Sequence, residues 1–464
     1  MSKLFLIASG MENPKKWNNR ISRRHNYLNY GLLSLATRIK SLGYEALVVH
    51  GGFYSPDEIF SEMVILGLKK TTFPILVSIT SFFAFSWAKQ FCSILKKNIT
   101  NAKVIVGGRW VTTNREEWVK YEIPEVDIVV SGLAEDLAEK LLCNNLIDSN
   151  QSGIIKNPHS YKVGSVFEIN LDYSLLHNHL LFQPSIEVSR GCGRGCSFCG
   201  EKDFSLTKMK NPSTISQQFQ HLIDIYSTHE LSPYFEASFF KPNQSWAKEL
   251  INVRKNNGEV YQWRCESRVD IFDQKLTEFL VNGGLKVIDL GLESASHTQL
   301  LRMNKTKTPN TYLEKASLFI EFASSLGVWI KVNVLLFLGE TLKTISETIE
   351  WLDKHKNYIK GVSVGSIIGF GLPTEVQHFM DSFNCPDASI AQLENKTIGV
   401  TRLNLSKEID YFRSEELAIE ISREFMTKRA YYDLKSFSYF PRGYSYQQFC
   451  DDIPKHSDNI PFNN

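Results

Sequence analysis

Short apolar runs alternate with amphipathic stretches along most of the chain, and this alternation constrains the fold more than any other feature. It occurs in two blocks, over residues 1–143 and 184–372, and is typical of βαβ units on parallel sheets. Strands are predicted at 3–8, 45–50, 75–79, 103–106, 127–130, 185–189, 234–237, 262–266, 287–291, 329–336 and 361–367. The sequence therefore predicts an α/β protein with a Rossmann-like parallel-sheet domain followed by a partial (β/α)6 barrel.

Two further segments do not follow the alternation. Residues 144–183 are polar and are predicted to form a linker between the two blocks. Residues 373–464 are predicted to be a mainly helical or irregular C-terminal segment, and aromatic side chains are dense within 431–449. A packed core face is the favoured role for these aromatics, and a cap over an active site that contacts the substrate is the alternative.

The charge balance argues against a sequence-independent nucleic-acid binder. The chain has 52 Lys and Arg against 50 Asp and Glu, a net charge of +2, without the large positive field that such binding requires. No apolar stretch approaches the roughly 20 residues of a membrane-spanning helix, and the N-terminus does not resemble a signal peptide. We therefore expect a cytoplasmic protein that has neither a membrane nor a nucleic acid as a partner.

Three of the eight cysteines lie close together as C-x3-C-x2-C, in a glycine-rich loop just after a predicted strand. The three thiolates, Cys192, Cys196 and Cys199, could each ligate one iron of a [4Fe-4S] cluster, which leaves the fourth iron open. An open iron can chelate the amino and carboxylate groups of S-adenosylmethionine and deliver an electron to it. A tetrahedral zinc site completed by Cys265 is the less favoured alternative.

This cysteine loop, with Phe198 before its last cysteine, resembles the signature of the radical S-adenosylmethionine enzymes. Residues 291–305 and 335–341 resemble barrel motifs of the branch that has an N-terminal cobalamin-binding domain. The resemblance implies a [4Fe-4S] cluster, S-adenosylmethionine and cobalamin as cofactors. It also implies an external one-electron reductant such as flavodoxin or ferredoxin.

The resemblance also implies which residues contact S-adenosylmethionine. The candidates are Phe198, Glu236, Ser238, Arg268, Glu293 and Ser294. Glu236 ends the second barrel strand, where relatives hold the methionine amine, and Arg268 could bind the methionine carboxylate as a fork. A salt bridge within the barrel is the alternative role for both residues.

Residues 104–108 and 126–132 resemble strand ends of cobalamin domains. The implied cofactor contacts are Ser78, Thr80, Ser81, Gly107, Gly108, Gly132 and Glu135. Trp110 lies close to the expected corrin face and could pack against the ring or fill its space. The chain lacks an Asp-x-His-x-x-Gly motif, so we expect no histidine on cobalt. A Rossmann-like sheet without a ligand is the alternative.

Methylation of an unactivated carbon in a small metabolite or peptide is the activity that the resemblance implies. One S-adenosylmethionine would methylate cobalt, and a second would yield the 5′-deoxyadenosyl radical that activates the substrate. A radical enzyme that cyclises, rearranges or oxidises is one alternative, and a metal-cluster scaffold that binds a partner is another. A tRNA methylthiotransferase needs three further cysteines upstream, whereas only Cys92 and Cys143 precede Cys192.

Overall fold

The computed structural model describes residues 2–11, 21, 24–112, 115–142, 153–157, 170–202, 204–393, 397–453 and 460–463. It divides into two compact units. The first comprises Met1–Phe182 with Thr397–Gly399, and the second comprises Gln183–Lys396 with Val400–Asn464. Residues 144–152 and 158–169, most of the predicted linker, lie outside the described residues. Within the described residues, no helix is long and apolar enough to cross a membrane.

A six-stranded sheet in the order β2-β1-β3-β4-β5-β6 forms the centre of the first unit. The strands are β1 Leu4–Ala8, β2 Ala46–His50, β3 Ile75–Ser78, β4 Val104–Gly107, β5 Ile128–Ser131 and β6 Ile154–Lys156. Every neighbouring pair is parallel. Strands therefore occur at all five predicted positions, and the sixth, β6, lies within the stretch predicted to be a linker. Its three residues are too few to produce a recognisable apolar run.

Helices connect these strands, as parallel pairing requires. They are α1 Tyr30–Ser41, α2 Pro56–Ile65, α3 Phe85–Asn98, α4 Glu116–Glu122 and α5 Ala138–Leu142. All five residues of β1 are buried, which is expected for a parallel strand that is covered on both faces.

The second unit contains another six-stranded parallel sheet, in the order β12-β11-β10-β9-β8-β7. Its strands are β7 Ser185–Glu187, β8 Tyr234–Glu236, β9 Trp263–Arg268, β10 Leu285–Glu293, β11 Trp329–Leu336 and β12 Gly361–Ser366. Its helices are α6 Pro212–Tyr226, α7 Gln244–Asn256, α8 Gln274–Asn282, α9 His297–Arg302, α10 Pro309–Ser325 and α11 Leu342–His355. Neighbours in space follow chain order, as in the predicted partial barrel.

The C-terminal segment contains helices, as predicted, and its strands form with Ile368–Phe370 a small antiparallel sheet that the sequence did not predict. The strands are β13 Ile368–Phe370, β14 Ser389–Ile390 and β15 Val400–Asn404. The helices are α12 Pro373–Asp381, α13 Tyr411–Glu424, α14 Lys428–Ser436 and α15 Tyr446–Asp452.

The aromatic side chains of this segment form a core at the amino ends of the barrel strands. Tyr431, Phe440 and Phe449 are buried, and their rings lie 6.3 Å or less from one another. Gln183, just before β7, donates hydrogen bonds to the carbonyls of Ser436 and Phe440. Residues 431–449 therefore close the end of the barrel opposite to the carboxyl ends of the strands, and a packed core is the favoured role of the two predicted from the sequence.

Candidate functional site

The cysteine loop follows β7 and is held in a tight curve by its own backbone. Gly191 has φ 72°, and a Cβ at this position would lie 2.2 Å from the carbonyl oxygen of Ser205, so only glycine is accommodated. The Cys192 N–H donates to the carbonyl of Phe204 at 2.8 Å. Cys196 is buried, and none of the three cysteines forms a disulfide.

A second loop, residues 303–305 after α9, fastens the cysteine loop from the barrel side. The Ser197 N–H donates to the carbonyl of Met303 at 2.9 Å, and Asn304 Nδ2 donates to the carbonyl of Gly195 at 2.7 Å. Asn304 has φ 50°, a left-handed conformation that asparagine tolerates. The sequence analysis placed this stretch in a family motif but assigned Asn304 no role.

We expect Asn304→Gly to loosen the cysteine loop, because glycine keeps the left-handed backbone and removes only the bond to Gly195. Loss of a side-chain hydrogen bond costs about 1 kcal/mol, so chelators should extract iron about fivefold faster. Asn178→Gly is the matched control, since Asn178 has φ 56° but makes no capping side-chain bond. Equal extraction rates from both variants would contradict the role assigned to Asn304, and absorbance of the reconstituted cluster measures them.

The zinc alternative requires Cys265 as a fourth ligand. Within the described residues, no group of three or more His, Cys, Asp and Glu side chains is arranged to hold a metal ion. Cys265 is fully buried within β9, and this burial raises the pKa of its thiol well above the usual range. It has the properties of a core residue.

One edge of the Arg268 guanidinium makes hydrogen bonds within the protein. Its Nε and Nη2 donate to the two carboxylate oxygens of Asp270 at 2.9 and 3.1 Å, and Nη2 also donates to the carbonyl of Lys305 at 2.8 Å. The structure thus shows the salt bridge that was the alternative to a fork on S-adenosylmethionine. Nη1 lies 3.8 Å from Cys196 Sγ, so Arg268 links β9 to both loops of the site.

The end of β10 is joined to the loop 303–305 by an ion pair between Glu293 and Lys305. Glu293 has φ 67°, a strained conformation for glutamate, and its Oε1 lies 3.0 Å from Lys305 Nζ. The same Nζ lies 6.0 Å from the centre of the Phe198 ring. Ser294 is buried and its Oγ lies 3.1 Å from Thr348 Oγ1, so this hydroxyl is used within the fold.

The stretch 339–341 forms a turn between β11 and α11. Glu340 is buried, and its carboxylate accepts hydrogen bonds from the Thr344 hydroxyl at 2.7 Å and the Phe337 N–H at 3.2 Å. Burial raises the pKa of Glu340 to about 7. Arg302 Nη1 donates to the Gly339 carbonyl at 3.1 Å. This motif therefore supports the site by holding the end of α9 in place.

Glu236 and Ser238 differ in their surroundings. Burial and the nearby Glu266 and Glu187 raise the pKa of Glu236 to about 8. Ser238 is exposed, and its Oγ donates to Glu201 Oε2 at 3.4 Å.

In the first unit, the predicted glycines bring neighbouring strand ends together. A Cβ at Gly108, where φ is 111°, would lie 2.5 Å from the carbonyl oxygen of Ile79. A Cβ at Gly107 would lie 3.1 Å from the carbonyl oxygen of Val130, and one at Gly132 would lie 1.9 Å from that of Asn157. Backbone packing thus requires small residues here, which the sequence analysis had attributed to close approach of a macrocycle.

The carboxyl ends of β1 and β3 carry polar groups that fit a polar ligand. Ser9 Oγ is buried and has no hydrogen-bond partner among the described residues. Ser78 is buried and accepts a hydrogen bond from Asn29 Nδ2 at 3.0 Å. Thr80 is exposed and Ser81 is half-buried. This end of the sheet therefore has one hydrogen-bonded hydroxyl, Ser78, one buried hydroxyl without a partner among the described residues, Ser9, and one exposed hydroxyl, Thr80.

The side chains of three other residues near these strand ends are buried within the fold. Glu135 is buried and accepts a hydrogen bond from Ser34 Oγ on α1 at 2.9 Å. The buried Trp110 ring packs 4.7 Å from that of Phe82, so Trp110 is a core residue. His50, which the sequence analysis did not single out, ends β2, and burial lowers its pKa to about 4.

Comparisons with known proteins agree with this architecture. Residues 186–352 match the family model of the Radical SAM superfamily. An uncharacterized methyltransferase of Pyrococcus horikoshii, PH0819, is 25% identical over 345 residues, which cover 70% of this chain and 72% of the relative.

Two solved structures have the same fold. The radical S-adenosylmethionine methyltransferase TsrM from Kitasatospora setae, with cobalamin and a [4Fe-4S] cluster bound, gives a TM-score of 0.61 at 14% identity, covering 85% of this chain and 78% of TsrM. The cobalamin-dependent enzyme OxsB, with aqua-cobalamin and S-adenosylmethionine bound, gives a TM-score of 0.62 at 15% identity, covering 94% of this chain and 67% of OxsB. Residues 186–352 therefore carry a Radical SAM domain, and the chain has the fold of these two solved structures.

Proposed function

We propose that this enzyme is a cobalamin-dependent methyltransferase that acts on an unactivated carbon of a small molecule or peptide. The observation that carries the proposal is the cysteine loop, curled by Gly191 and fastened by Asn304 at the carboxyl end of a parallel barrel. The names of PH0819 and TsrM as methyltransferases support the choice of methyl transfer over other radical reactions.

Cys192, Cys196 and Cys199 are the residues proposed to hold the [4Fe-4S] cluster, and its open iron would bind S-adenosylmethionine. The carboxyl end of the first sheet is proposed to hold cobalamin, with Ser9 and Thr80 as hydrogen-bonding groups. The free buried hydroxyl of Ser9 fits this role. When bound, these groups supply hydrogen-atom abstraction and delivery of a methyl group.

The chain contributes positioning and exclusion of water. The bonds from Asn304 and Arg268 to the two loops keep the cysteines in place without a cluster ligand from β9. The aromatic core around Phe440 closes the amino end of the barrel, so a substrate enters from the carboxyl ends of the strands. A closed base protects reactive radical species from solvent.

Isotope transfer tests the proposal. With S-adenosylmethionine carrying a deuterated methyl group, the anaerobic and reduced holoenzyme should transfer three deuterons to its product. It should release S-adenosylhomocysteine and 5′-deoxyadenosine in equal amounts, because one cofactor molecule donates methyl and a second initiates the radical. Mass spectrometry of the reaction mixture measures all three species.

The same experiment separates the alternatives. A product with an unchanged carbon count, formed without S-adenosylhomocysteine, would show a cyclisation, rearrangement or oxidation. Absence of 5′-deoxyadenosine from fully reconstituted protein would favour a metal-cluster scaffold instead.

A further inference from the structure

Four carboxylates occupy one row across the inner face of the barrel sheet. The row consists of Glu187 on β7, Glu236 on β8, Glu266 on β9 and Asp289 on β10. Glu187 pairs with Glu236 in register, and Glu266 pairs with Asp289. Tyr234 pairs with Arg264, so the residues two positions further along each strand, Glu236 and Glu266, are also neighbours.

The two outer members of the row are neutralised by cations. Arg190 donates to both carboxylate oxygens of Glu187 at 2.7 and 3.0 Å. Arg264 donates to both oxygens of Asp289 at 2.7 and 2.8 Å, and Lys331 Nζ lies 3.1 Å from the same carboxylate. These pairs account for the charges of Glu187 and Asp289.

The two inner members form no ion pair among the described residues. Glu236 has a hydrogen bond from the Ser185 side chain, and its pKa is raised by burial and by the nearby Glu266 and Glu187. Glu266 makes no hydrogen bond or ion pair within the described part of the chain; enclosure in the barrel and the nearby Asp289 raise its pKa, and Lys331 and Arg264 only partly offset this. Placing two such carboxyls side by side costs stability, so packing alone does not account for them.

Open space lies in front of the inner pair. Glu266 is the exposed residue of β9, whose other five residues are buried. Because β9 lies between β8 and β10, its exposed side chain must face an interior opening. Further along the barrel, Gly365 on β12 pairs with Leu335 on the inner face of β11, and a Cβ there would meet no atom within 4 Å; Gly361, in register with the carboxylate row, packs against Leu434 and Met426.

An unsatisfied hydroxyl lies on the same wall. Ser189 is 2% exposed, and its Oγ has no hydrogen-bond partner among the described residues. Ser189 follows Glu187 by two residues, and the Val188 N–H still donates to the Glu236 carbonyl at 2.8 Å. The extended pairing places Ser189 on the same face as Glu187. A buried hydroxyl without a partner points to a polar group that is supplied by a ligand.

We propose that Glu266, rather than Glu236, which the family resemblance assigns to the methionine amine of S-adenosylmethionine, binds a protonated amine or guanidinium of the substrate. A cation beside Glu266 would neutralise this carboxylate as Arg190 and Arg264 neutralise the outer members of the row. The substrate of the enzyme is therefore a cationic small molecule or a basic peptide. The statement that this cation belongs to the substrate rests on the proposed function, whereas the prediction that Glu266 binds a cation does not.

Paired probes test the charge requirement in the full-length protein. The cationic probes are Nα-acetyl-lysinamide and tryptamine, and their neutral counterparts of similar shape are Nα-acetyl-norleucinamide and 3-ethylindole. Isothermal titration calorimetry should show that the cationic member of at least one pair binds about tenfold or more tightly than its counterpart. Glu266→Gln should remove that difference. Glu249→Gln, an exposed change on α7, should retain it.

A second measurement, the unfolding temperature, needs no ligand. Because an unpaired carboxylate destabilises the barrel, Glu266→Gln should raise the unfolding temperature of the ligand-free protein, while Glu249→Gln should leave it unchanged. A fall in unfolding temperature for Glu266→Gln would show a structural role and overturn the proposal. Equal binding of cationic and neutral probes, absence of binding by both cations, or undiminished cation binding by Glu266→Gln would overturn it as well. Methyl transfer is measured separately, so its failure would leave the cation site intact.

Discussion

Alanine at Cys192, Cys196 or Cys199 is expected to abolish reductive cleavage of S-adenosylmethionine to 5′-deoxyadenosine. Each thiolate is proposed to hold a different iron, and a [4Fe-4S] cluster that lacks one protein ligand loses its stability or its open site. The effect should be complete, since the three thiolates lie on one short loop and each is proposed to ligate a separate iron. Iron content, absorbance near 400 nm and chromatography of the cleavage product measure it under anaerobic, reducing conditions.

Cys265→Ala is the control for these three variants. Cys265 is fully buried within β9, so its removal should affect packing and leave the cluster and the cleavage reaction in place. Cluster loss from Cys265→Ala equal to that from Cys196→Ala would show that a fourth thiolate is required, and the open-iron mechanism would be wrong.

Thr80→Trp is expected to eliminate retention of cobalamin by the reconstituted protein. Thr80 is exposed just after β3. An indole at this position would therefore enter the proposed crevice without straining the backbone. Gly108→Trp would be a poorer test, because any Cβ at Gly108 clashes with the backbone of Ile79. Corrin absorbance after incubation with hydroxocobalamin and desalting gives the result.

Thr72→Trp is the matched control, since Thr72 is also exposed but precedes β3 at the opposite end of the same strand. It should retain cobalamin as the unmodified protein does. If the unmodified protein retains none under reducing, oxygen-free conditions, the first unit is a Rossmann-like sheet without this ligand. The methyltransferase proposal would then fail, while radical generation by the barrel could remain.

Eleven of the twelve strands in the two parallel sheets could be predicted, most of them because they are local apolar runs. The element β11, Trp329–Leu336, has the predicted bounds, since a buried strand of eight residues has a clear signal. The short strand β6 and the pairing of β13 with β15 were missed. Both are stabilised by partners distant in the chain, and such pairing leaves little trace in local sequence.

Chemistry that depends on residues close together in the sequence could be predicted from the amino acids alone. Three cysteines within eight positions, on a loop after a strand, predict a metal cluster because the spacing confines them to one loop. The contacts that complete the site could not be predicted from the sequence. Asn304 reaches Gly195 across more than a hundred residues, and Glu266 lies beside Asp289 through strand register. Register between parallel strands depends on packing of the whole sheet, and a shift of one residue would turn each of these side chains to the opposite face.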